Sequence, residues 1–400
     1  MGVKKVLFVC YGSGHVRMVV PVAQALQKNG MAQVQVLGLT TAAPVVRAAG
    51  LPLLQVKDFL RSTDAPALTV GCELITALGQ VADVDETVAY LWLCYAELVS
   101  EVGEDEARKR YLHDGRHAFL PVRILSRILS TVRPDLVVVT NSPRAERAAV
   151  LAARQLGIPA VCMVDLFAVD EVRWIGERGY ADRVCVLNER VRTFLLDAGR
   201  EAHQVTVTGN PAFDALCDCE SAAQGAALRA QQGWNGKRVL LWPSQIEPSF
   251  HPFDGRTGDP ELPRKVLEEL IGWVRSKPDA VLCVRPRAGD IPPPLPRDGR
   301  VVVTGQDWPL PALLHAVDVV TTLTSTVGLE GFLAGARVVQ VRGSVFDEAL
   351  PLARFGMADT AVALGALVPA LERWTVAPRR QRAETVAATP RVVEVLCEFL

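Results

Sequence analysis

The feature that most constrains the fold is a regular alternation of apolar runs with amphipathic helical patterns. In the first half of the chain the apolar runs lie at residues 5–10, 33–37, 136–140, 158–164 and 184–187. The second half repeats the alternation at residues 238–242, 280–284, 301–304, 318–322 and 337–341. Strands that are apolar on both faces and separated by helices are typical of parallel sheets covered on each side. The sequence therefore predicts an α/β fold with two Rossmann-like, doubly wound domains in tandem.

The chain length supports the same division. With 400 residues, of which 50% are apolar, the sequence is long enough for two hydrophobic cores. We predict an N-terminal domain over residues 1–208, interrupted by a helical insertion at about residues 57–130, and a C-terminal domain over residues 209–400 whose last helix can pack back on the first domain. The boundary is placed in Val207-Thr208-Gly209-Asn210-Pro211, where a strand ends in turn-forming residues.

Charge and cysteine content exclude several classes of protein. Lys and Arg total 43 against 44 Asp and Glu, so no overall field attracts nucleic acid. The nine cysteines lack the spacing of a zinc site or a disulfide framework, which suits a reducing compartment. The sequence has no secretory leader pattern and no uninterrupted apolar span of membrane length. We expect a cytoplasmic protein without a transmembrane segment, and its oligomeric state stays open.

A glycine-rich turn follows the first predicted strand. Tyr11-Gly12-Ser13-Gly14-His15 connects residues 5–10 to a helical pattern, and its glycines allow a tight turn with close backbone approach. His15 is thereby placed at the carboxyl edge of the sheet, where open α/β folds bind ligands. The turn lacks the third glycine of the dinucleotide fingerprint, and no acidic residue closes the second strand, which argues against a nicotinamide-dependent dehydrogenase.

A second turn lies near the end of the second half. Thr324-Ser325-Thr326-Val327-Gly328-Leu329-Glu330 separates the runs at 318–322 and 337–341. A hydroxyl-rich turn that opens a helix offers free N–H groups and the positive end of the helix dipole to a diphosphate. Glu330, about one helical turn further on, can reach the hydroxyls of a ribose. Ser or Thr at this position is also an ordinary helix N-cap, so both interpretations stay open.

Together these motifs resemble the glycosyltransferases of the GT-B fold. The Gly-x-Gly-His turn, the Gly209-Asn210-Pro211 hinge and the Ser-x-x-x-Leu-Glu helix occur in that order over nearly the whole chain. Gly12 to His15 looks like the N-terminal loop of the lipid-linked N-acetylglucosaminyltransferase of peptidoglycan synthesis. Residues 184–216 are similar to UDP-N-acetylglucosamine 2-epimerases and lipid A disaccharide synthase, and residues 318–341 to bacterial surface-polysaccharide transferases. The resemblance implies two domains that face each other across a cleft.

The resemblance also implies a set of donor-binding residues. Ser325, Thr326 and Val327 would present N–H groups to the donor diphosphate, and Glu330 would hold the ribose. Gln306 to Pro309 would border the nucleobase. Related chains often have Arg-Pro-His-Pro where this one has Arg285-Pro286-Arg287-Ala288, so this loop lacks the histidine of the pattern. Arg285 and Arg287 either neutralise phosphate as bidentate donors or are surface arginines.

Glycosyl transfer requires stabilisation of a leaving diphosphate and a base for the acceptor proton. A helix dipole with Arg285 or Arg287 can stabilise that charge without a metal, so we predict neither a metal nor a cofactor. For the base, His15 is the first candidate because its ordinary pKa of about 6.5 suits proton abstraction near neutral pH. It can equally be a helix-start histidine that positions the turn. Asp165, after the run at 158–164, is the second candidate base or a cap for the next segment.

The loop Ser244-Gln245-Ile246-Glu247 follows the first strand of the second domain. Ser244 and Gln245 are predicted to touch donor phosphate or sugar, while Glu247, with Gly12, Ser13 and Gly14, is assigned to acceptor binding or loop structure. A 2-epimerase would be expected to have a histidine and charged residues in this loop and several acids in the first domain. Acidic residues are present there, but not in a spacing that matches the epimerases: Asp165, Asp170, Glu171 and Glu177. This comparison favours transfer over epimerisation.

The sequence thus predicts a metal-independent glycosyltransferase that moves a sugar from a nucleotide diphosphate sugar, with UDP as the favoured nucleotide. The acceptor would belong to cell-envelope, polysaccharide or secondary-metabolite synthesis, and a lipid-linked acceptor would bring the protein to the inner face of the membrane. Two alternatives stay open. One is a hydrolysing UDP-N-acetylglucosamine 2-epimerase or nucleotide-sugar hydrolase, and the other is an inactive nucleotide-sugar-binding partner protein.

Overall fold

The computed structural model describes residues 2–67, 83–251, 254–287, 295–296, 299–304, 308–380 and 387–400. The chain divides into two compact units. The first comprises Met1–Ala212 together with Val386–Leu400, and the second comprises Phe213–Thr385.

The first unit contains a seven-stranded sheet in the order β3-β2-β1-β4-β5-β6-β7. Its strands are β1 (Lys5–Cys10), β2 (Gln33–Gly38), β3 (Leu53–Leu54), β4 (Leu136–Val139), β5 (Ala160–Met163), β6 (Arg183–Val186) and β7 (Val205–Val207). All neighbouring strands in this sheet are parallel. The strand order reverses between β1 and β4, and ligands of open α/β sheets bind outside the carboxyl ends at such a point.

Helices connect these strands. They are α1 (Gly14–Lys28), α2 (Ala42–Ala48), α3 (Val84–Val102), α4 (Glu104–Asp114), α5 (Val122–Val132), α6 (Ala145–Gln155), α7 (Val172–Ile175) and α8 (Glu189–Asp197). Helices α3 to α5 lie in the predicted insertion, together with short 3₁₀ helices at Val56–Phe59, Ser62–Ala67 and Gly115–Ala118. The amphipathic pattern of α1 buries Val16, Val19 and Leu26 in the same core as the side chains of β1.

The second unit contains a six-stranded parallel sheet in the order β10-β9-β8-β11-β12-β13. Its strands are β8 (Arg238–Pro243), β9 (Ala280–Arg285), β10 (Val301–Val303), β11 (Val319–Thr322), β12 (Arg337–Arg342) and β13 (Thr360–Ala363). Its helices are α9 (Cys219–Gln231), α10 (Leu262–Ser276), α11 (Leu310–Ala316), α12 (Thr326–Leu333) and α13 (Leu367–Trp374). Two helix-covered parallel sheets confirm the predicted α/β class.

The C-terminal helix belongs to the first unit. Helix α14 (Ala388–Cys397) buries Val392, Val393 and Leu396 in the core that also holds Val19 and Leu26 of α1. No helix among the described residues is both long enough and apolar enough to span a lipid bilayer.

Candidate functional site

The first candidate cluster lies at the reversal of strand order in the first unit. His15 stands in the first turn of α1, after β1, while Thr140 and Glu146 follow the neighbouring strand β4. Asp165 follows β5, which pairs with β4. Because the carboxyl ends of parallel strands share one edge of a sheet, these side chains come together although they are far apart in sequence.

Glu146 is the centre of this cluster. Its side chain is fully buried, and its two oxygens accept hydrogen bonds from the backbone N–H groups of Tyr11 (2.8 Å) and Ser142 (2.7 Å). Its Oε1 also lies 3.3 Å from Nδ1 of His15. The carboxylate therefore connects the turn after β1 to the turn after β4. Sequence reasoning missed Glu146, since a glutamate in the first turn of a helix is ordinarily a solvated residue that complements the helix dipole.

The imidazole of His15 is held on both sides. Its Nδ1 faces Glu146 and hydrogen-bonds the hydroxyl of Thr140, which in turn donates to Glu146. Its Nε2 lies 3.8 Å from Oδ2 of Asp165. Thr140 is buried, whereas the side chains of His15 and Asp165 keep partial access to solvent.

The surroundings keep His15 protonated. Burial alone would lower the pKa of His15, but the Glu146 carboxylate, with additional contributions from Asp165 and Glu171, raises it to about 9. Burial would likewise raise the pKa of Glu146, but the positive charge of His15 and hydrogen bonds from Thr140 and Ser142 keep it below its ordinary value. At neutral pH the pair is thus an imidazolium ion and a carboxylate. The expectation of a near-neutral pKa for His15 was wrong, because it did not include Glu146.

Two further carboxyl groups lie within electrostatic range of His15. The backbone of Asp165 is fixed from both sides: its N–H donates to Asn141 Oδ1 (3.0 Å), and its carbonyl accepts from Asn210 Nδ2 (2.6 Å). Asn210 is the central residue of the Gly-Asn-Pro motif. Burial, followed by the negative charges of Asp165 and Asp170, raises the pKa of Glu171 to about 7. The sequence spacing of these acids did not reveal that they and His15 share one electrostatic environment.

The glycine-rich turn is shaped by contacts within the unit. A Cβ atom at Gly12 would lie 1.8 Å from Thr41 Oγ1 and 2.9 Å from the Thr41 backbone carbonyl carbon, so glycine is required by the neighbouring chain. Ser13 has φ +60°, a backbone conformation that is costly for a residue with a side chain. Gly14 begins α1 and has open space around its Cβ position.

In the second unit the predicted phosphate turn has much of its hydrogen bonding satisfied internally. The Ser325 N–H donates to Thr322 Oγ1 (3.1 Å), and the Val327 N–H donates to the Ser325 side chain (3.2 Å), which is the N-cap of α12. The prediction that Ser325 and Val327 present free N–H groups is therefore wrong for this conformation, because the serine caps the helix. Thr326 is the first residue of α12, and its assignment stays a prediction.

Gln245, in the loop after β8, supports the same turn. Its Oε1 accepts hydrogen bonds from the Thr324 N–H (2.8 Å) and the Thr322 hydroxyl (3.3 Å), whereas its Nε2 is buried without a hydrogen-bond partner. A buried amide donor without an acceptor is costly, and a ligand oxygen at that place would satisfy it. The N–H of Ser244 donates to the carbonyl of Arg285 (2.8 Å), so it extends the β8–β9 ladder and is not available to a ligand.

The predicted charged residues of the second unit have different positions. Arg285 is half-buried and donates from Nη1 to the carbonyl of Trp308 (3.1 Å). Burial lowers the pKa of Arg285, and the negative charge of Glu330 acts against that shift, so these two residues are electrostatically coupled. Arg287 is exposed. Gln306 lies outside the described residues.

Glu247 has a structural role. Its side chain is 3% exposed, and it accepts hydrogen bonds from the Ser344 hydroxyl and the Val345 N–H, both at 2.7 Å. The carboxylate fixes the segment after β12, which agrees with the loop alternative for this residue.

Among the described residues, no group of three or more His, Cys, Asp or Glu side chains is arranged to hold a metal ion. The sequence contains an Asp-x-Asp pair, Asp83-Val84-Asp85, at the start of α3. Asp83 is the N-cap of that helix and forms an ion pair with Lys57 at 2.9 Å, so its carboxylate has a structural function.

Comparison with known proteins gives similarity at the level of solved structures. No family model matches the sequence, and no curated protein matches it. The UDP-GlcNAc 2-epimerase of Neisseria meningitidis, bound to UDP-GlcNAc, superposes with a TM-score of 0.59 at 13% identity over 98% of this chain and 100% of its own. A glycotransferase of kitacinnamycin gives 0.56 at 17% identity over 100% of both chains. The glycosyltransferase SnogD of Streptomyces nogalater gives 0.50 at 17% identity over 100% of this chain and 96% of its own.

These similarities extend over nearly the entire length of each chain, at identities that establish the fold alone. They agree with the two parallel sheets and confirm, for the fold, the resemblance carried by the sequence motifs. The chain has the GT-B fold, which these epimerases and glycosyltransferases share.

Proposed function

We propose that the protein is a glycosyltransferase that moves a sugar from a UDP-sugar to an acceptor without a metal ion. The observation that carries the proposal is the group formed by His15, Glu146 and Asp165 at the carboxyl edge of the first sheet. Sugar transfer to a hydroxyl group needs a base that takes the hydroxyl proton, and it needs groups that hold this base in position. The cluster supplies both on a GT-B scaffold.

Within this proposal Asp165 is the base. With a pKa of about 9, His15 is almost fully protonated at neutral pH and can donate a hydrogen bond from Nε2 but cannot accept a proton. The Oδ2 of Asp165 lies 3.8 Å from that nitrogen and is partly exposed, so it can receive the acceptor proton while His15 orients it. Glu146 keeps the imidazole ring in place through Nδ1.

Nucleotide binding is proposed for the second unit. The unpartnered Nε2 of Gln245 offers a donor to a phosphate or sugar oxygen. Arg285, coupled to Glu330, offers a positive charge that is partly removed from water. Similar structures include an epimerase bound to UDP-GlcNAc, which supports UDP as the nucleotide.

Glu330→Ala is expected to weaken UDP binding by about 1–3 kcal/mol, the scale of hydrogen bonds to a charged group. The reason is that the Glu330 carboxylate would accept hydrogen bonds from the ribose hydroxyls. Calorimetric titration with UDP measures the change, and Glu348→Ala, at a side chain 83% exposed in the same unit, is the control. An unchanged affinity for UDP would remove Glu330 from the ribose site.

A second candidate function is a hydrolysing 2-epimerase or a nucleotide-sugar hydrolase. The observation that favours it is that the charges of Asp165 and His15 act on Glu171, whose pKa is raised to about 7. A carboxyl group with that pKa can both donate and accept a proton near neutral pH. Such an enzyme would release UDP from its substrate without any acceptor. The position of Glu247 favours transfer over epimerisation. Its carboxylate accepts hydrogen bonds from Ser344 and Val345, so the loop after β8 does not offer this charged group to a substrate.

The proposal is tested by binding and by product release. Calorimetry with UDP, GDP, CDP, ADP and dTDP, with and without magnesium, identifies the nucleotide and any need for a metal. Sugar conjugates of the nucleotide that binds most tightly are then incubated with the protein in the absence of an acceptor. Tight binding without release supports a transferase that lacks its acceptor, rapid UDP release supports the epimerase or hydrolase, and absence of nucleotide binding would overturn both. An acceptor from cell-envelope, polysaccharide or secondary-metabolite synthesis, including a lipid-linked one, is part of this proposal.

A further inference from the structure

A second functional feature at the same sheet edge is the guanidinium group of Arg144. Arg144 lies directly before α6, in the turn after β4 that also contains Thr140 and Ser142. Its Cζ lies 4.8 Å from the centroid of the Tyr11 ring. Because Tyr11 precedes Gly12, the guanidinium group lies beside the turn that positions His15.

The aromatic ring beneath Arg144 is fixed. Tyr11 is 7% exposed, and its hydroxyl lies 2.6 Å from the hydroxyl of Tyr90 in α3. Its backbone N–H donates to Glu146, and its hydroxyl accepts from the Ala145 N–H at 3.4 Å. A cation over such a ring is held in place without neutralisation of its charge.

Three other half-buried arginines of the chain have a carboxylate partner, which Arg144 lacks among the described residues: Arg127 pairs with Asp64 at 2.7 Å, Arg229 with Asp318 at 3.1 Å and Arg337 with Asp359 at 3.0 Å. Within the part of the chain that the structure describes, Arg144 has no carboxylate within ion-pair distance, and its buried Nε has no hydrogen-bond partner. The neighbouring Glu146 is already bound to Tyr11, Ser142 and His15.

The positive charge of Arg144 acts on its neighbour His117. Burial lowers the pKa of His117, and the charges of Arg144 and Arg116 lower it further. Taking a guanidinium partly out of water without a counter-charge is unfavourable, and a bound anion would compensate for it. Guanidinium groups bind the paired oxygens of phosphates and carboxylates with two parallel hydrogen bonds.

We propose that Arg144 binds an anionic oxygen group, a phosphate or a carboxylate, on the molecule that accepts the sugar. The proposal rests on the proposed transferase function. Arg144 belongs to the same sheet edge as Asp165, the proposed base, whereas the residues proposed for the nucleotide lie in the second unit. Arg144 would therefore select acceptors that carry a negative charge.

The test measures the binding of inorganic phosphate to protein saturated with UDP, by ³¹P NMR, where phosphate and UDP give separate signals. Arg144→Gln is expected to raise the dissociation constant of phosphate about 10-fold or more, the scale of lost hydrogen bonds to a charged group. Arg144→Lys should have an intermediate effect, because it keeps the charge and loses the paired donors. Arg154→Gln, at an exposed position in the last turn of α6, is the matched control and should bind phosphate as the unmodified protein does.

Several outcomes would overturn the proposal. They are absence of phosphate binding, equal binding by Arg144→Gln, or a loss of UDP affinity in that variant with phosphate binding unchanged, which would assign Arg144 to the nucleotide. If UDP does not bind at all, the proposed function fails, and the same titration without UDP still decides whether Arg144 binds an anion. Co-sedimentation with phosphatidic acid vesicles identifies the source: Arg144-dependent retention indicates a lipid phosphate, and phosphate binding without retention indicates a soluble acceptor.

Discussion

Asp165→Asn is expected to lower turnover of the UDP-sugar about 100- to 10,000-fold while leaving the affinity for UDP unchanged, as for loss of a general base. The asparagine side chain has nearly the same shape as aspartate and keeps a hydrogen-bond acceptor towards His15 Nε2, but it cannot take a proton at neutral pH. The backbone bonds to Asn141 and Asn210 do not involve the side chain of Asp165 and should persist. Steady-state UDP release measures the turnover, and calorimetry measures the affinity.

Asp197→Asn, at an exposed position at the end of α8, is the control for this experiment because it removes one negative charge from the same unit. If turnover survives in Asp165→Asn, the base is a different residue, and the dependence of the rate on pH then identifies it. A rate that rises through about pH 9 would indicate His15, and one that rises through about pH 7 would indicate Glu171. An unmodified protein that binds UDP-sugar but never releases UDP with any acceptor would support the inactive binding partner.

Glu146→Gln is expected to reduce the free energy of unfolding by about 3–5 kcal/mol at neutral pH, the cost of leaving one member of a buried ion pair without its partner. The substitution also places an amide NH₂ against the N–H of Tyr11 or of Ser142, which are both donors. Chemical denaturation measures the loss of stability. NMR titration of the His15 ring should show its pKa falling from about 9 towards its ordinary value of 6.5.

The stability difference should depend on pH in a defined direction. His15 has a higher pKa in the folded protein than in the unfolded chain, so its contribution is complete below about pH 6.5 and disappears as the pH rises through about 9. Glu146 has a lowered pKa, so its contribution is present above about pH 4.5 and disappears in acid. The difference in free energy of unfolding between the unmodified protein and Glu146→Gln should therefore be largest between about pH 4.5 and pH 6.5.

Glu394→Gln, at an exposed position in α14, is the control for the stability measurement and should leave both quantities unchanged. A large loss of stability with an unaltered pKa of His15 would mean that Glu146 holds only the backbone of the two turns.

Strands could be predicted from the sequence where they are buried on both faces, because such strands consist of a continuous apolar run. Val6 to Cys10, which are fully buried, are an example. The edge strands β3 and β13 were not predicted in this way. Leu53–Leu54 is too short to form a pattern, and Thr360–Ala363 is only partly buried, so its composition is less distinctive. An edge strand is shielded by one neighbour only and has less need of apolar residues on both faces.

The site was predicted in part. The Gly-x-Gly-His motif correctly marked the sheet edge, and the Ser325 N-cap was one of two interpretations that the turn allowed. The pairing of His15 with Glu146 could not be predicted, because it joins residues 131 positions apart through the packing of α6 against the central strands. The pKa of His15 depends on that contact. A sequence motif gives the types of its residues but does not show which distant residues they contact in the folded chain.

The position of Glu146 also limits how this site can be altered. One carboxylate accepts the N–H of Tyr11 from the turn after β1 and that of Ser142 from the turn after β4. An insertion or a backbone shift in either turn would displace the other, so the two turns have to be exchanged together in any attempt to graft a new substrate preference. A combinatorial library aimed at new substrates should therefore keep residues 11–15 and 140–146 constant.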